Sequence, residues 1–486
     1  MKKRHLFLLG ILFVYISGNA QTAEDALRYS RIYFGGTARF NGLSGAFGAV
    51  GADFSTLATN PAGLGLYKGS EMTFTIAPNI GYSSTTYNGS TASDNRVNFG
   101  LGNFGTVFNI NLANQPNAGI LKSINLGFGF NRQNDFNNRV MIHGVNMDNS
   151  LMQSYVNILK DNPVPPSQLE YDYPFDIGLA YNANLVVFDS AYGYYCDAEN
   201  GGVSQDKSIK TYGSINELDF SVGANLADKL YLGLTFGVPF INYYESSVYR
   251  ESRISPTVPN FISLNYYYDL HTRGTGYNIK FGMIYKPANW IRIGAAIHSP
   301  TWYPNMKDDW ASSMQSSFDT VYWNRNVYSP LGYYDYRMKT PFRAMGNLAF
   351  IIGQYGLISA DYEFVNYSQT RFNSTYDSYT DVNNEIQSSF QSWGNLRLGT
   401  EWKVMDFRIR GGFAYFSNPY SAGNNNSERY QFSGGLGYRS KYFFADVTYV
   451  YARMKQSYYL YDAGMVNPAE ITNYSHSIQT TFGVRF

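Results

Sequence analysis

The side chains able to do chemistry are few and scattered. Histidine occurs five times, at His5, His143, His271, His298 and His476, and no two stand at the spacing of a metal or catalytic motif. There is no His-Glu-x-x-His, no Gly-x-Ser-x-Gly elbow and no cysteine pair. Cys196 is the single cysteine, so no intramolecular disulfide can form, and it reads as a lone thiol in a long loop. Asp308-Asp309 could hold a surface cation, although adjacent carboxylates in a loop are ordinarily just solvated. The small-residue run from Asn41 to Gly51 lacks the Gly-Lys-Ser/Thr that a phosphate loop needs. The chain therefore reads as a non-enzyme with no cofactor or metal. One triplet carries a different kind of signal: in Asn60-Pro61-Ala62 the proline fixes φ and restrains Asn60, whose side chain can close a local turn.

What must position such residues follows from composition. Of 486 residues only 15% are charged, against about 25% in soluble domains. Aromatics make up 17%, mostly 45 Tyr and 34 Phe, and 46 Gly accompany them. A net charge of +1 leaves no electrostatic footprint for nucleic acid. Mean hydropathy of −0.30 argues against a bundle of membrane helices, and so aromatic a chain is not disordered. Lys2, Lys3 and Arg4 precede an apolar run from Leu6 to Ile16 and a small-residue exit, Ser17-Gly18-Asn19-Ala20. This reads as a signal peptide, residues 1–20, cleaved near Ala20, because a spanning helix needs about 20 apolar residues. No later run is long enough to span, so a membrane crossing has to be made by strands. Strands can cross only as a closed barrel, since unpaired backbone groups in hydrocarbon cost several kcal/mol each.

Period-two alternation supports that reading. Ile478, Thr480, Phe482, Val484 and Phe486 alternate with a polar set, as do Leu230 to Phe240, Leu218 to Leu226 and Leu396 to Trp402. Tight polar connections near 227–229, 286–289, 353–355, 403–406 and 439–441 alternate with long ones near 250–262, 300–340, 371–390, 418–429 and 457–473. That is the pattern of periplasmic turns and extracellular loops. It predicts fourteen antiparallel strands, beginning near residues 71, 96, 121, 211, 230, 263, 290, 341, 356, 391, 406, 430, 442 and 474. The fold class is thus all-β, a transmembrane barrel at 71–486 behind a segment at 21–70 that is not barrel-like. The long extracellular loop at about 134–210 is expected to be partly helical. Met152, Tyr155, Val156 and Leu159 share one helix face behind Asp148 and Asn149 as caps, and a second candidate runs from Pro174 to Val187. Such helices would either receive apolar ligands or simply pack on the barrel mouth.

With its signal peptide, small-residue segment, Ala58-Thr59-Asn60-Pro61-Ala62-Gly63-Leu64 and strand pattern, the chain resembles the FadL/TodX family. The run SVGANLADKLYLGLTFGVPF at 221–240 adds to the likeness. The resemblance implies an outer-membrane channel of a Gram-negative bacterium for long-chain fatty acids, aromatic hydrocarbons or similar molecules. It implies that residues 21–70 form a hatch containing Asn60, Pro61 and Ala62. It also implies a kink in the third strand that opens a side exit. Here Gly127 and Gly129 are the candidates, although glycine can equally relieve crowding in a tilted strand. Expected partners are a hydrophobic ligand, outer-membrane lipid and, through the terminal Phe486, the barrel assembly machinery. Two alternatives stay open: a haem receptor, since Tyr is abundant, and a shuttle or anchor barrel of a secretion system. The family's ligand-binding loop residues cannot be carried over, and the loop segment 300–340 with Trp302, Trp310, Tyr322 and Trp323 would suit either a ligand or a partner.

Overall fold

A computed structural model describes residues 21–113, 119–197, 202–255, 260–421, 423 and 425–486. The signal-peptide expectation lies outside the described residues. The first ten barrel strands are β1 (Glu71–Tyr87), β2 (Ser90–Asn111), β3 (Leu121–Asp135 and Asn138–Asn146), β4 (Val203–Leu226), β5 (Leu230–Arg253), β6 (Phe261–Ala288), β7 (Ile291–His298 and Trp302–Phe318), β8 (Arg325–Tyr328, Gly332–Lys339 and Arg343–Ile352), β9 (Gly356–Asn366 and Arg371–Asn373) and β10 (Ser392–Val404). The last four are β11 (Phe407–Phe416), β12 (Arg429–Arg439), β13 (Phe443–Tyr458) and β14 (Ala469–Arg485). Each pairs antiparallel with the next, and β14 pairs with β1 from Arg485–Glu71 to Glu470–Thr86, which closes a fourteen-stranded barrel. The expected strand number and antiparallel pairing are therefore present.

Alternation decides which side chains meet lipid. On β6 Tyr277, Ile279, Phe281, Met283 and Tyr285 point outward, while Asn278, Lys280 and Ile284 are buried inside. Phe220 and Val222, Leu234 and Phe236, Leu396 and Leu398, and Ile478, Phe482 and Val484 continue the same outer belt. Aromatic stacks such as Tyr277 on Trp302 (5.8 Å, 28°) border it, as expected of a barrel's girdle.

The connections differ from expectation at one hairpin. β1 and β2 join through only Asn88-Gly89, both with positive φ (46° and 80°), so β2 begins at Ser90 rather than near 96. An Asn-Gly pair at two left-handed positions favours a two-residue hairpin. The strands flanking the long loop are also longer than expected: β3 runs on to Asn146 and β4 starts at Val203, so the loop proper is shorter than 134–210. Within it lie α3 (Leu151–Asp161), α4 (Leu169–Asp172) and α5 (Ile177–Asn182). The cap of α3 is Ser150, whose hydroxyl accepts from Met152 N at 3.0 Å, not Asp148 or Asn149. Val187 has left the helix for a small hairpin. Met152, Val156, Leu159, Ile177 and Leu179 pack with Tyr249, Leu264, Met314 and Ile471 over the barrel mouth. The segment 300–340 is not a loose loop, because β7 and β8 extend the sheet through it.

The belt yields a first test. Phe281→Arg is expected to cost about 2–4 kcal/mol in reversible folding into lipid vesicles, because it places a cation near the bilayer midplane. Asp269→Arg, outward but above the belt, is expected to stay within about 0.5 kcal/mol.

Candidate functional site

The barrel lumen is filled from inside by the chain's own N-terminal segment. Residues 21–70 run from the end bearing the long loops, where Gln21 Nε2 donates to Asp308 Oδ2 at 2.7 Å, down to the opposite end, where Ser70 N donates to the Phe486 carbonyl at 3.1 Å. At the top α1 (Ala23–Ser30) is held by a capping box between Thr22 and Asp25. It buries Ala26, Leu27 and Tyr29 against Ile241, Tyr243, Met306 and Phe390. Below it α2 (Ala38–Gly42) is capped by Thr37 and lies against β11 to β14.

Small residues on both sides let backbone meet backbone. Asn60, Pro61 and Ala62 are fully buried, and Pro61 faces Gly233 of β5 and Gly282 of β6. A Cβ on Gly233 would lie 2.1 Å from the Pro61 carbonyl carbon, and one on Gly282 would lie 2.0 Å from Asn60 Oδ1. Asn60 ties three pieces together: Nδ2 donates to the Gly48 carbonyl (2.7 Å) and Asn347 Oδ1 (3.3 Å), and Oδ1 accepts from Ala62 N (3.2 Å). Further along, Asp361 Oδ2 accepts the backbone N–H of Phe47 (2.9 Å) and Gly48 (2.8 Å). His298 bonds the Thr59 carbonyl through Nε2 (2.6 Å), and Arg39 grips Glu401 through two bonds of 2.9 and 3.0 Å. The Arg39–Glu401 contact is buried and charge-assisted, the strong class. Glu401 is shared with Arg410, which also reaches Asp446 at 2.7 Å.

Gly127 and Gly129 do not mark a break. Both sit in unbroken ladders, Gly127 opposite Val107 and Ser221, Gly129 opposite Gly105 and Asp219. They make room for the plug: Cβ atoms there would meet Leu57 at 2.9 Å and Phe54 at 2.5 Å. The discontinuity of β3 lies higher, at Arg132–Asn138. Pairing with β2 ends at Asn131–Asn103, the register to β4 slips between Arg132 and Asn134, and regular strand stops at Phe136-Asn137. From Ser90 to Gly102, β2 therefore pairs only with β1. Plug residues take its place: Tyr33 N donates to the Gln133 carbonyl (2.9 Å) and Gly35 N to the Arg132 carbonyl (2.8 Å). At the break Phe136 turns inward onto Tyr243 and Tyr29, and its N–H bonds the Gly213 carbonyl at 3.0 Å. Gly213 has φ of +112°, and a Cβ there would lie 2.0 Å from the Asn242 carbonyl oxygen, so no other residue fits. The free edge of β2 carries Val97 and Phe99, 73% and 74% exposed, well above the 40–55% typical of the belt.

A cavity of about 910 Å³ lies behind this interruption. Its wall runs from Tyr458, the last residue of β13, and Tyr459 past Leu27, Phe34 and Phe136 to Gly102 and Arg132 at the edge of the break. The wall mixes apolar and aromatic surface with many polar and charged side chains, Glu24, Asp25, Arg31, Arg132, Asp135 and Arg429 among them.

Other residues singled out in the sequence have structural places. His143 pairs with Asp206, His271 stacks on Tyr244, and His476 contacts Tyr449. Asp308 is buried on Gln21 and Tyr336, while Asp309 pairs with Arg273. Cys196 is buried in the cluster that the long loop packs over the barrel mouth. Trp310 packs on Phe175, and Tyr266 donates to the Phe175 carbonyl. Among the described residues no cluster of His, Cys, Asp and Glu has the geometry of a metal site. Sequence reasoning missed Arg39, Asp361 and the break at Arg132. A signal for the break existed: five polar residues, Asn131 to Asp135, follow the alternating Leu126 to Phe130.

These features define a plugged fourteen-stranded barrel with the FadL-type fold. Two solved structures share it. One is the CymD monoaromatic hydrocarbon channel, with 12% identity over 93% of this chain and 98% of that one, at a TM-score of 0.50. The other is a FadL homologue of Pseudomonas aeruginosa, with 12% identity over 94% and 98%, at a TM-score of 0.52. No family model and no curated protein matches the sequence.

The seat of the plug is testable. Gly233→Val is expected to unseat the Asn60–Ala62 turn, raising single-channel conductance in planar bilayers while the barrel keeps its heat-modifiable mobility on gels. Asn60→Ala removes the side-chain hydrogen bonds to Gly48, Met283, Asn347 and Ala62 and is expected to lower the protection of amides 47–63 in hydrogen exchange by about 1–3 kcal/mol.

Proposed function

We propose that the chain is a passive channel by which hydrophobic small molecules cross an outer membrane. The observation that carries this reading is the placement of the cavity. It reaches from the loop end of the barrel to the one stretch where β2 and β3 part, and the plug closes the lumen below. A molecule entering at the loops therefore meets a blocked axial path and an interrupted wall at the level of the lipid-facing Val97 and Phe99. The structurally similar CymD is a monoaromatic hydrocarbon channel, and transfer of that ligand class to this chain belongs to the same proposal. Asn60, Pro61 and Ala62 act as the plug's anchor, and Phe486, at the end of the closing strand, is the element presented to the assembly machinery. No energy source is needed, since flux follows the gradient.

The test is uptake of radiolabelled toluene and oleate by cells of a strain lacking its own channel of this kind. Expression of this chain is expected to raise the initial rate of at least one of them. Rates equal to an empty-vector control for both would overturn the reading.

A further inference from the structure

Above the apolar belt, the outer face of β6 to β9 gathers cations. Arg273 on β6 is the second outward residue beyond Tyr277, and Lys307 on β7 stands directly opposite it. On β8 Arg337 and Lys339 are exposed while Tyr336 and Met338 point inward, so the two cations share the outer face roughly 7 Å apart. Lys339 lies opposite Trp302, whose ring stacks on Tyr277, and on its other side opposite Arg371 of β9. Arg371 is held by the Ser368 and Thr370 carbonyls at 2.6 and 2.7 Å. The carboxylates of this face are Asp309, which accepts from Arg273 Nη2 at 2.5 Å, Asp335 opposite Lys307, and Asp269 higher on β6. Arg273 alone of the five cations forms an ion pair among the described residues. Like charges also stand directly opposite each other, Arg273 with Lys307 and Lys339 with Arg371, an arrangement that destabilises a sheet unless an anion joins it. Just above Arg273 the face becomes hollow. A pocket of about 260 Å³ is bounded by Tyr212, Tyr244, His271 and Tyr333 together with Asp269 and Asp309. Its rings are set edge to edge with their neighbours' faces: Tyr212 stacks on Tyr244 (4.5 Å, 6°) and Tyr244 on His271 (3.9 Å, 11°).

We propose that this outer face binds a phosphorylated glycolipid of the surrounding leaflet, with its phosphates on Lys307, Arg337 and Lys339 and its sugar in the hollow beside Tyr333. The proposal rests on the outer-membrane placement in the reading above and not on uptake through the lumen. The order of surfaces along the wall carries it. Apolar residues such as Ile279 and Phe281 come first, then the Tyr277–Trp302 border, then the cations, then rings beside carboxylates. An acylated, phosphorylated saccharide has the same order of parts: chains, phosphate, sugar. Arginine matches phosphate through paired N–H donors and lysine as a point charge, so both cation types on this face suit that group. In the hollow, the C–H face of a pyranose can lie on an aromatic ring while its hydroxyls donate to Asp269 and Asp309. Tyr333, 67% exposed, is the ring most open to such contact. A free anion would make no use of the belt below the cations, and a phospholipid without sugar would leave the hollow empty.

The experiment titrates the full chain, in detergent, with lipid A, an acylated and diphosphorylated glucosamine disaccharide, and counts adducts by native mass spectrometry. Lys307→Gln combined with Arg337→Gln and Lys339→Gln is expected to weaken lipid A binding at least about tenfold, since each cation beside an anionic headgroup is worth about fivefold. The control Lys210→Gln, Arg453→Gln and Lys455→Gln removes three exposed cations from other parts of the wall. It changes the net charge equally and is expected to stay within about twofold of the unaltered chain. Tyr333→Ala is expected to weaken binding about threefold, the loss of a small apolar contact. Heat-modifiable mobility on gels, retained in every variant, separates lost binding from lost folding. Inorganic phosphate in large excess is expected to leave lipid A bound, and phosphatidylglycerol to bind at least about tenfold more weakly than lipid A. Equal loss in the two triple variants, displacement by phosphate, or phosphatidylglycerol binding as tight as lipid A would each overturn the proposal. Unchanged binding in Tyr333→Ala would overturn the place given to the sugar. Lipid A binding as expected in a chain that takes up neither toluene nor oleate leaves this face standing and overturns only the uptake reading.

Discussion

The rest of the structure depends on one constraint: in hydrocarbon, a backbone N–H or C=O without a partner costs several kcal/mol. Fourteen strands closed by the pairing of β14 with β1 are the solution for nearly the whole wall. The places where the wall departs from that solution are therefore expensive and informative. β3 loses β2 as a partner at Arg132, and the plug's Tyr33 and Gly35 supply the missing donors from inside the lumen. The plug is thus more than a stopper, because its backbone completes a strand edge that would otherwise be unpaired.

The same economy explains the lumen. A barrel of this size encloses more volume than its inward side chains fill, and about fifty residues of folded-back chain occupy the remainder. Docking so much backbone requires close approach and polar satisfaction together. Gly233, Gly282, Gly127 and Gly129 supply the first, since each would place a Cβ inside van der Waals distance of the plug. Asn60, Asp361, His298 and the Arg39–Glu401 pair supply the second. The low overall charge of the chain is consequently uneven: sparse on the outer belt, and concentrated in buried networks such as Arg343 and Arg397 on Glu363.

Legibility in the sequence followed the range of the interaction. Strand number and lipid-facing stripes were readable because alternation is local and a strand shows its two faces with a period of two. The short turns between strands were readable for the same reason, from polar and glycine residues. Ends were less so: β3 and β4 rise well beyond the positions where their apolar alternation stops, because above the membrane a polar strand pairs just as well. The glycines of β3 drew attention as a kink, yet they serve the plug, and the kink sits in a run of polar residues four positions on. Nothing local distinguishes a glycine that bends a strand from one that admits Phe54.

By itself, the sequence determined a closed antiparallel barrel of fourteen strands with a small-residue segment ahead of it. Alternation, turn chemistry and hydrocarbon's demand for paired backbone allow little else. Only the tertiary structure decided where that segment runs, which strand edge it borrows and where the wall opens. Those outcomes depend on pairs a hundred or more residues apart, such as Arg39 with Glu401 and Tyr33 with Gln133. Their partners become neighbours only after the barrel has closed around them.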